Sequence, residues 1–170
     1  MPDSPVVTLR ARSDSDADVL FSLAADLTTW EERGPDFPAP LTRAAYDARL
    51  AAESETAGPS IRFVIEVDGA PVGSAGLFNV DHLARHAEVG IALVADARGR
   101  GIGTTALSQI VDFAFVRCNL RRVHLEVISS NVGAVRAYEK AGFVVEGRLR
   151  EHAWVRGHYE DIILMGLLRS

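Results

Sequence analysis

The amino-acid sequence predicts an α/β fold with a mixed, mostly antiparallel sheet of about seven strands, flanked by about four helices. Three observations lead to this fold class. Runs of β-prone residues alternate with runs of helical spacing in the order β, α, α, β, β, β, α, β, α, β, β. A turn signal at residues 68–71 joins two strands as an antiparallel hairpin. A glycine-rich corner at residues 98–104 leads from a strand into a helix, and a helical crossover of this kind connects a parallel pair.

The first elements of the chain follow from local signals. Residues 6–9 are β-prone, and Ser13 can cap a helix whose apolar residues share one face. Several prolines interrupt residues 28–40, which predicts a loop there. Helical spacing resumes at Leu41, and this second helix is expected to end before Gly58.

The middle of the chain is rich in β-prone residues. Strands are predicted over residues 61–67 and 72–80, on either side of the hairpin turn, and over residues 86–94, before the glycine corner. The helix behind the corner is expected from Thr104 to Val116, because its apolar residues recur on one face.

In the last third of the chain, apolar residues again alternate with polar ones, which is the pattern of a strand. Val123, Leu125 and Val127 predict a strand that places His124 and Glu126 on its opposite face. Asn131 is a helix cap, and the helix that follows ends at Gly142. Residues 143–168 have the pattern of closing strands, with a turn at Arg156-Gly157.

Composition limits the classes of function. The chain has 170 residues, which fits a single domain over residues 1–170. Its net charge of −5 argues against a nucleic-acid partner, because phosphate backbones are bound by clustered Lys and Arg. The single cysteine, Cys118, rules out an internal disulfide and suits a reducing compartment. The sequence has no signal-peptide pattern and no membrane-spanning run, so we expect a cytoplasmic protein that does not bind membranes.

The glycine corner, with three glycines in residues 99–103, is the most informative stretch. Bare main-chain N–H groups and the start of a helix together form a site that accepts phosphate. A tight turn without a ligand would have the same glycine content, and the pattern alone leaves both possibilities open. The corner lacks the lysine of a Walker loop and the glycine spacing of a Rossmann fingerprint.

Two blocks of sequence resemble one known family. The motif Arg98-x-x-Gly101-x-Gly103 resembles the acyl-CoA loop of the GNAT superfamily of N-acetyltransferases. A second block is similar to that family's strand, asparagine cap, tyrosine and Gly-Phe corner, and it comprises Leu125 to Asn131, Tyr138 and Gly142-Phe143. The chain resembles most the branch that acetylates ribosomal-protein N-termini and related small amines.

The resemblance implies acetyl-CoA as cosubstrate and no metal. It implies that the parallel strands splay apart and admit the thioester arm, with main-chain N–H groups of the corner holding the pyrophosphate and two arginines nearby. The residues expected to bind the cosubstrate are Ile91, Ala92, Leu93, Arg98, Gly99, Arg100, Gly101, Ile102, Gly103, Thr104, Asn131 and Ala134. Asn131 would combine this role with that of helix cap.

Acetylation of an amine needs a base, and the sequence offers three candidates. Glu126 is the first, because it stands five residues before Asn131, the spacing of the base in the similar ribosomal N-terminal acetyltransferases. A competing interpretation makes Glu126 a strand carboxylate paired with an arginine such as Arg122. Glu88, acting through water, is the second candidate, and His124 is the third.

Tyr138 is the candidate general acid, which the resemblance places beside the sulfur of the cosubstrate. A phenol is protonated at neutral pH and can donate a hydrogen bond to a departing thiolate. Periodicity by itself favours a different role, that of an aromatic residue packed in the core with Ala134 and Ala141.

The acceptor is less well specified. Acidic and aromatic residues between the first two helices could attract a cationic amine, or could equally form a solvated loop: Trp30, Glu31, Glu32 and Phe37.

Two functions remain open at this level. The first is an N-acetyltransferase that acts on a protein N-terminus or a small-molecule amine. The second is a catalytically inactive acyl-CoA-binding sensor or structural protein on the same fold. The sequence does not specify the oligomeric state, and a homodimer is among the alternatives.

Overall fold

The computed structural model describes residues 5–32, 39–56 and 60–170. Within these ranges seven strands form one sheet, accompanied by five α-helices. The strands are β1 (Val7–Arg10), β2 (Ile61–Val67), β3 (Ala70–Asp81), β4 (His86–Leu93), β5 (Arg122–Ile128), β6 (Val144–Val155) and β7 (His158–Leu168). The helices are α1 (Ala17–Ala25), α2 (Leu27–Glu31), α3 (Arg43–Thr56), α4 (Ile102–Asp112) and α5 (Val132–Lys140).

The sheet is mixed and mostly antiparallel, as predicted. Its strand order is β1-β2-β3-β4-β5-β7-β6, and every neighbouring pair is antiparallel except β4 and β5. Helix α4 forms the crossover between these two parallel strands. The expected strand–corner–helix unit therefore lies at the centre of the sheet.

The parallel pair is short. Only three residue pairs connect β4 to β5, and they are His86 with Arg122, Ala87 with Val123 and Glu88 with His124. Beyond these pairs β4 stays bonded to β3 and β5 stays bonded to β7, but the two strands no longer pair with each other. The splay that the resemblance implied is thus confirmed.

Apolar side chains pack on both faces of the sheet. On one face, α4 buries Ile102, Ala106, Leu107 and Ile110 in the largest cluster of core residues. On the other face Leu20 of α1, Tyr46 of α3 and Val64 of β2 form a separate cluster. Alternation along β2 explains the division, because Val64 and its neighbour Ile65 belong to the two different clusters.

The loop predicted over residues 28–40 is wrong at its beginning, because α2 extends through residues 28–31. Asp26 accepts hydrogen bonds from the main-chain N–H groups of Thr28 and Thr29, at 3.3 and 3.2 Å. It therefore caps α2 in the manner typical of a helix N-terminus. The prolines that suggested a loop stand farther along, at residues 35, 38 and 40, and α2 accounts for the fifth helix.

Among the described residues, none of the helices combines the length and the apolar character that a membrane-crossing helix needs.

Candidate active site

A cavity of about 460 Å³ lies where β4 and β5 separate. Its walls come from the second half of β4, from β5, from the glycine corner and from α5. Three of the four candidate catalytic residues, Tyr138, Glu126 and Glu88, line this cavity, whereas His124 is not one of its lining residues. The predicted cosubstrate-binding residues that also line it are Ile91, Ala92, Leu93, Arg98, Gly99, Gly101, Gly103, Thr104, Asn131 and Ala134.

Two residues predicted at the cosubstrate site do not line the cavity. Ile102 is the first residue of α4, and its side chain is buried in the core, which leaves only its main chain at the corner. Arg100 is an exposed residue of the corner. A role for either residue in binding stays a prediction.

The glycine corner needs glycine for its backbone shape. Gly99 and Gly101 have φ of +70° and +78°, in the left-handed region that favours glycine. A Cβ atom at either position would meet nothing within 4 Å, so the protein leaves open space above the main chain. Helix α4 begins directly after Gly101, and the N–H groups of its first turn have no acceptor within the helix.

Arg98 fixes the corner to the rest of the site. Its guanidinium donates to the Leu93 carbonyl at 3.1 Å, to Glu32 Oε2 at 3.1 Å and to Thr29 Oγ1 at 2.8 Å. It thereby connects the end of β4 to α2 and to the residue that follows it. The sequence predicted Arg98 as a charge near the pyrophosphate, and this second role was not expected.

Helix α5 presents two of the predicted residues to the cavity. Asn131 is its N-cap, because its side-chain Oδ1 accepts from the main-chain N–H of Ala134 at 3.2 Å. Tyr138 lies on the buried face, only 7% exposed, and its ring packs edge-on against Phe143 with the ring centres 5.9 Å apart. Its phenol is therefore both a core residue and a part of the cavity wall.

Glu126 is not paired with Arg122, which removes the competing interpretation of this carboxylate. Arg122 binds Glu146 instead, with 2.6 Å between Nη1 and Oε1. Glu126 is an exposed side chain, and it makes no ion pair with any other described residue. Its carboxylate is thus available at the cavity wall.

Glu88 and His124 face each other across the short parallel pair. They are partners in the register, and the Glu88 carboxylate accepts a hydrogen bond from Asn79 Nδ2 at 3.1 Å. Burial and the neighbouring Arg122 guanidinium lower the pKa of the His124 imidazole below its usual value. His124 is therefore a neutral imidazole at neutral pH.

A second, smaller cavity of about 260 Å³ adjoins the first, and Glu32 and Asn131 belong to both. Glu31 contributes to its wall and pairs with Arg156, with 3.1 Å between Oε2 and Nε. Burial alone would raise the pKa of the third acid there, Glu160, but hydrogen bonds from His158, Ser130 and Ser129 outweigh it and lower this pKa. The smaller cavity is thus partly charge-balanced by the protein itself.

Two of the residues predicted to contact the acceptor have side chains outside the described part of the chain. Phe37 lies outside the described residues, and so does the side chain of Trp30, although its backbone belongs to α2. Within the described ranges, no group of three or more His, Cys, Asp or Glu side chains is arranged to hold a metal ion.

Several lining residues were not predicted from the sequence. Thr29 and Gly90 belong to this group, as do Gly133, Arg136 and Lys140 on α5. The three α5 residues follow a spacing of three and four, so they share one face of a helix that the sequence did predict. That spacing was the available signal, whereas Thr29 could not be found because it lay in the region predicted as a loop.

The sequence matches the family described as "Acetyltransferase (GNAT) domain" over residues 7–144. Spermidine N(1)-acetyltransferase of Escherichia coli (strain K12) is 34% identical over 120 residues, which are 71% of this chain and 62% of that relative. YdaF of Bacillus subtilis (strain 168), named provisionally as a ribosomal N-acetyltransferase, is 31% identical over 102 residues, or 60% of this chain and 56% of the relative. The chain thus spans only part of the length of these relatives.

Solved structures give a more complete match. The crystal structure of spermidine N-acetyltransferase from Vibrio cholerae in complex with CoA and spermine has a TM-score of 0.85 to this chain. The sequences are 26% identical, and the superposition covers 95% of each chain.

Proposed function

Because this chain belongs to the GNAT acetyltransferase family, we propose that it transfers the acetyl group of acetyl-CoA to a primary amine by direct attack of the amine on the thioester. One observation supports this function above the others: a single cavity brings the glycine corner together with a phenol and two carboxylates. These are the groups that the reaction needs, and the proposal covers the chain as one catalytic domain.

Acetyl-CoA fits the observed corner. The N–H groups between Gly99 and Thr104 can donate to the pyrophosphate, and the open space above Gly99 and Gly101 admits it. Arg136 and Lys140 on the cavity wall add positive charge. The thioester arm then enters the gap between β4 and β5, where the edge of β4 is not paired with β5.

A base is needed because the acceptor binds as an ammonium ion. An amine with a pKa of about 10.4 is uncharged at pH 7 in roughly one molecule in 2,500, a handicap of about 4.6 kcal/mol. We assign the base to Glu126, whose carboxylate lines the cavity and has no competing ion pair among the described residues. Glu88 is the alternative base, acting through water.

The leaving thiolate needs an acid, and we assign that role to Tyr138. Its phenol lines the same cavity as both carboxylates, on the face of α5 that turns toward the gap. When the nitrogen–carbon bond forms and the carbon–sulfur bond breaks, the phenol donates its proton to sulfur. The excess proton of the amine restores the phenol.

The acceptor class is proposed from both the relatives and the smaller cavity. A spermidine acetyltransferase and a protein named provisionally as a ribosomal N-acetyltransferase are among the relatives, so small polyamines and protein N-termini are the first two classes to test. Glu31 and Glu160 line the smaller cavity and could attract a cationic acceptor. A cytoplasmic location belongs to the same proposal.

An amine panel tests the proposed function. Purified protein is mixed with acetyl-CoA and, in turn, a polyamine, an amino acid, an aminoglycoside or a peptide with a free N-terminus, and release of the CoA thiol is followed. We expect release with at least one amine and a matching acetylated product. Binding of acetyl-CoA without release on any amine would instead favour the inactive acyl-CoA-binding protein. If calorimetry detects no binding of acetyl-CoA, the proposed cosubstrate is wrong.

A further inference from the structure

We propose that His124 carries the proton of the acceptor amine to solvent from the two cavity carboxylates once acceptor and cosubstrate fill the cavity and cover them, an inference that rests on the proposed acetyl transfer. An ammonium and acetyl-CoA give an amide, a CoA thiol and one free proton, so one proton per turnover must leave the site. The electron pair of the broken N–H bond stays on nitrogen and forms the new nitrogen–carbon bond. The pair of the broken carbon–sulfur bond leaves with sulfur.

The position of His124 suits this role. It is the register partner of Glu88 on β4, and it lies two residues before Glu126 on the same face of β5. Either carboxylate could therefore pass a proton to it, directly or through a water molecule. A neutral imidazole can accept that proton, whereas an imidazolium could not.

An exit lies on the other side of His124. The neighbouring strand β7 places Gly166 opposite His124, so β7 itself contributes no side chain at this position. The Glu146 carboxylate occupies the freed space, and a Cβ atom on Gly166 would collide with it. Glu146 is exposed and is bound to Arg122, so this side of His124 opens onto the surface.

The charges around His124 determine when it can accept a proton. The ionisable groups that act on it are Glu88 and His86 on β4, Arg122 on β5 and Glu146 on β6, and Glu126 shares its face of β5. Burial and Arg122 lower its pKa, whereas Glu88 and Glu146 act in the opposite direction and limit the shift. The His86 ring packs edge-on against His124 with the ring centres 5.4 Å apart, and its buried Nδ1 has no hydrogen-bond partner within the described residues. The two rings thus meet edge-on, and Nδ1 of His86 makes no hydrogen bond to the His124 imidazole.

The test compares His124→Gln and His124→Asn with wild type and with His82→Gln, which changes an exposed histidine in the turn between β3 and β4. Turnover is measured by thiol release over a range of pH, with and without added imidazole. We expect about tenfold lower kcat in both His124 variants at neutral pH, with unchanged acetyl-CoA affinity and melting temperature. Added imidazole should raise kcat in these variants but not in wild type or His82→Gln.

The pH profile provides a second readout. In wild type, kcat should fall on the acid side with a midpoint below the usual histidine value of about 6.5, and this acid limb should be altered in the His124 variants. The carbon-13-labelled ring of His124 in wild type should titrate with the same midpoint, which tests the inference even if the variants fold poorly.

Four results would overturn the inference. Wild-type kcat in His124→Gln would exclude the route. Loss of activity without rescue by imidazole and with an unaltered acid limb would assign His124 a structural role only, and so would a ring titration far from the kinetic midpoint. A wild-type protein that acetylates no amine would overturn the proposed function itself, and the inference with it.

Discussion

Among single residues, Tyr138 carries the clearest prediction. Removing its hydroxyl should lower kcat by roughly 10- to 1,000-fold, because the thiolate would leave without a proton donor. Packing should change little, since the ring keeps its contact with Phe143. We expect Tyr138→Phe to stay folded and to retain wild-type acetyl-CoA affinity. Steady-state kinetics measures kcat, and titration calorimetry measures the affinity.

Tyr46→Phe is the matched control for this change. Tyr46 is also 7% exposed and also packs against an aromatic ring, that of Phe21, but it lies in the cluster under α1 and α3. Its variant should keep wild-type turnover. Equal activity in Tyr138→Phe and Tyr46→Phe would remove the acid from the proposed reaction.

Substitutions can also decide which of the two carboxylates, Glu126 or Glu88, is the base. Glu126→Gln should lower kcat by roughly 10- to 1,000-fold at neutral pH. The difference in kcat from wild type should become smaller at high pH, where more of the amine is uncharged. If Glu88 is the base, Glu88→Gln will show this pattern and Glu126→Gln will resemble wild type. The pH dependence of kcat in the two variants therefore identifies the base.

At the scale of elements, the glycine corner should bind the cosubstrate through its main chain. Gly101→Ala introduces a methyl into the open space expected to receive the pyrophosphate, so acetyl-CoA should bind at least about tenfold more weakly. The left-handed backbone also makes any L side chain costly, by about 1–2 kcal/mol of folding free energy. Calorimetry and thermal melts measure the two effects separately.

Gly69→Ala provides the control for strain. Gly69 has φ of +85° and also has nothing within 4 Å of a Cβ atom, but it lies in the hairpin between β2 and β3. Both variants should lose similar stability, and only Gly101→Ala should lose affinity. Equal affinity in the two would mean that the corner is a turn and not a phosphate site.

At the scale of the whole molecule, an ion-pair network at the start of the chain should control stability in acid. Asp16 is 1% exposed and binds the Arg10 guanidinium at 2.8 and 2.9 Å, and it also accepts from the Ser13 main chain at 2.8 Å. These contacts hold the pKa of its carboxyl well below the usual range. A lowered pKa in the folded state stabilises the protein above the unfolded value of about 3.9, and this contribution is lost as pH falls below it.

Asp16→Asn should therefore destabilise the protein at neutral pH by about 1–3 kcal/mol, and the difference from wild type should shrink below about pH 4. Asp14→Asn changes an exposed acid of the same turn and should have little effect. Urea denaturation at several pH values gives both differences. A constant difference between Asp16→Asn and wild type down to acid pH would contradict this assignment.

The sequence predicted the order of elements along the chain well because the element boundaries follow from local signals. The hairpin turn, the glycine corner and the Asn131 cap each mark an element boundary, and the family resemblance supplied the splay between β4 and β5. The start of α2 was missed because the cap at Asp26 is a weaker signal than the prolines that follow.

Within the site, the sequence predicted residues whose role depends on local backbone and not on distant partners. Asn131 and the glycines belong to this kind. The partners of Arg98 and Arg122 could not be predicted, because Glu32 and Glu146 are 66 and 24 residues away in sequence. Such ion pairs depend on how the strands and helices come together, which periodicity does not encode.

A crystal structure of the complex with CoA would show directly where the cosubstrate binds. We expect the pyrophosphate to accept hydrogen bonds from main-chain N–H groups between Gly99 and Thr104, and the sulfur to lie beside the Tyr138 hydroxyl. A pyrophosphate bound away from the glycine corner, or a sulfur out of reach of that hydroxyl, would contradict this expectation.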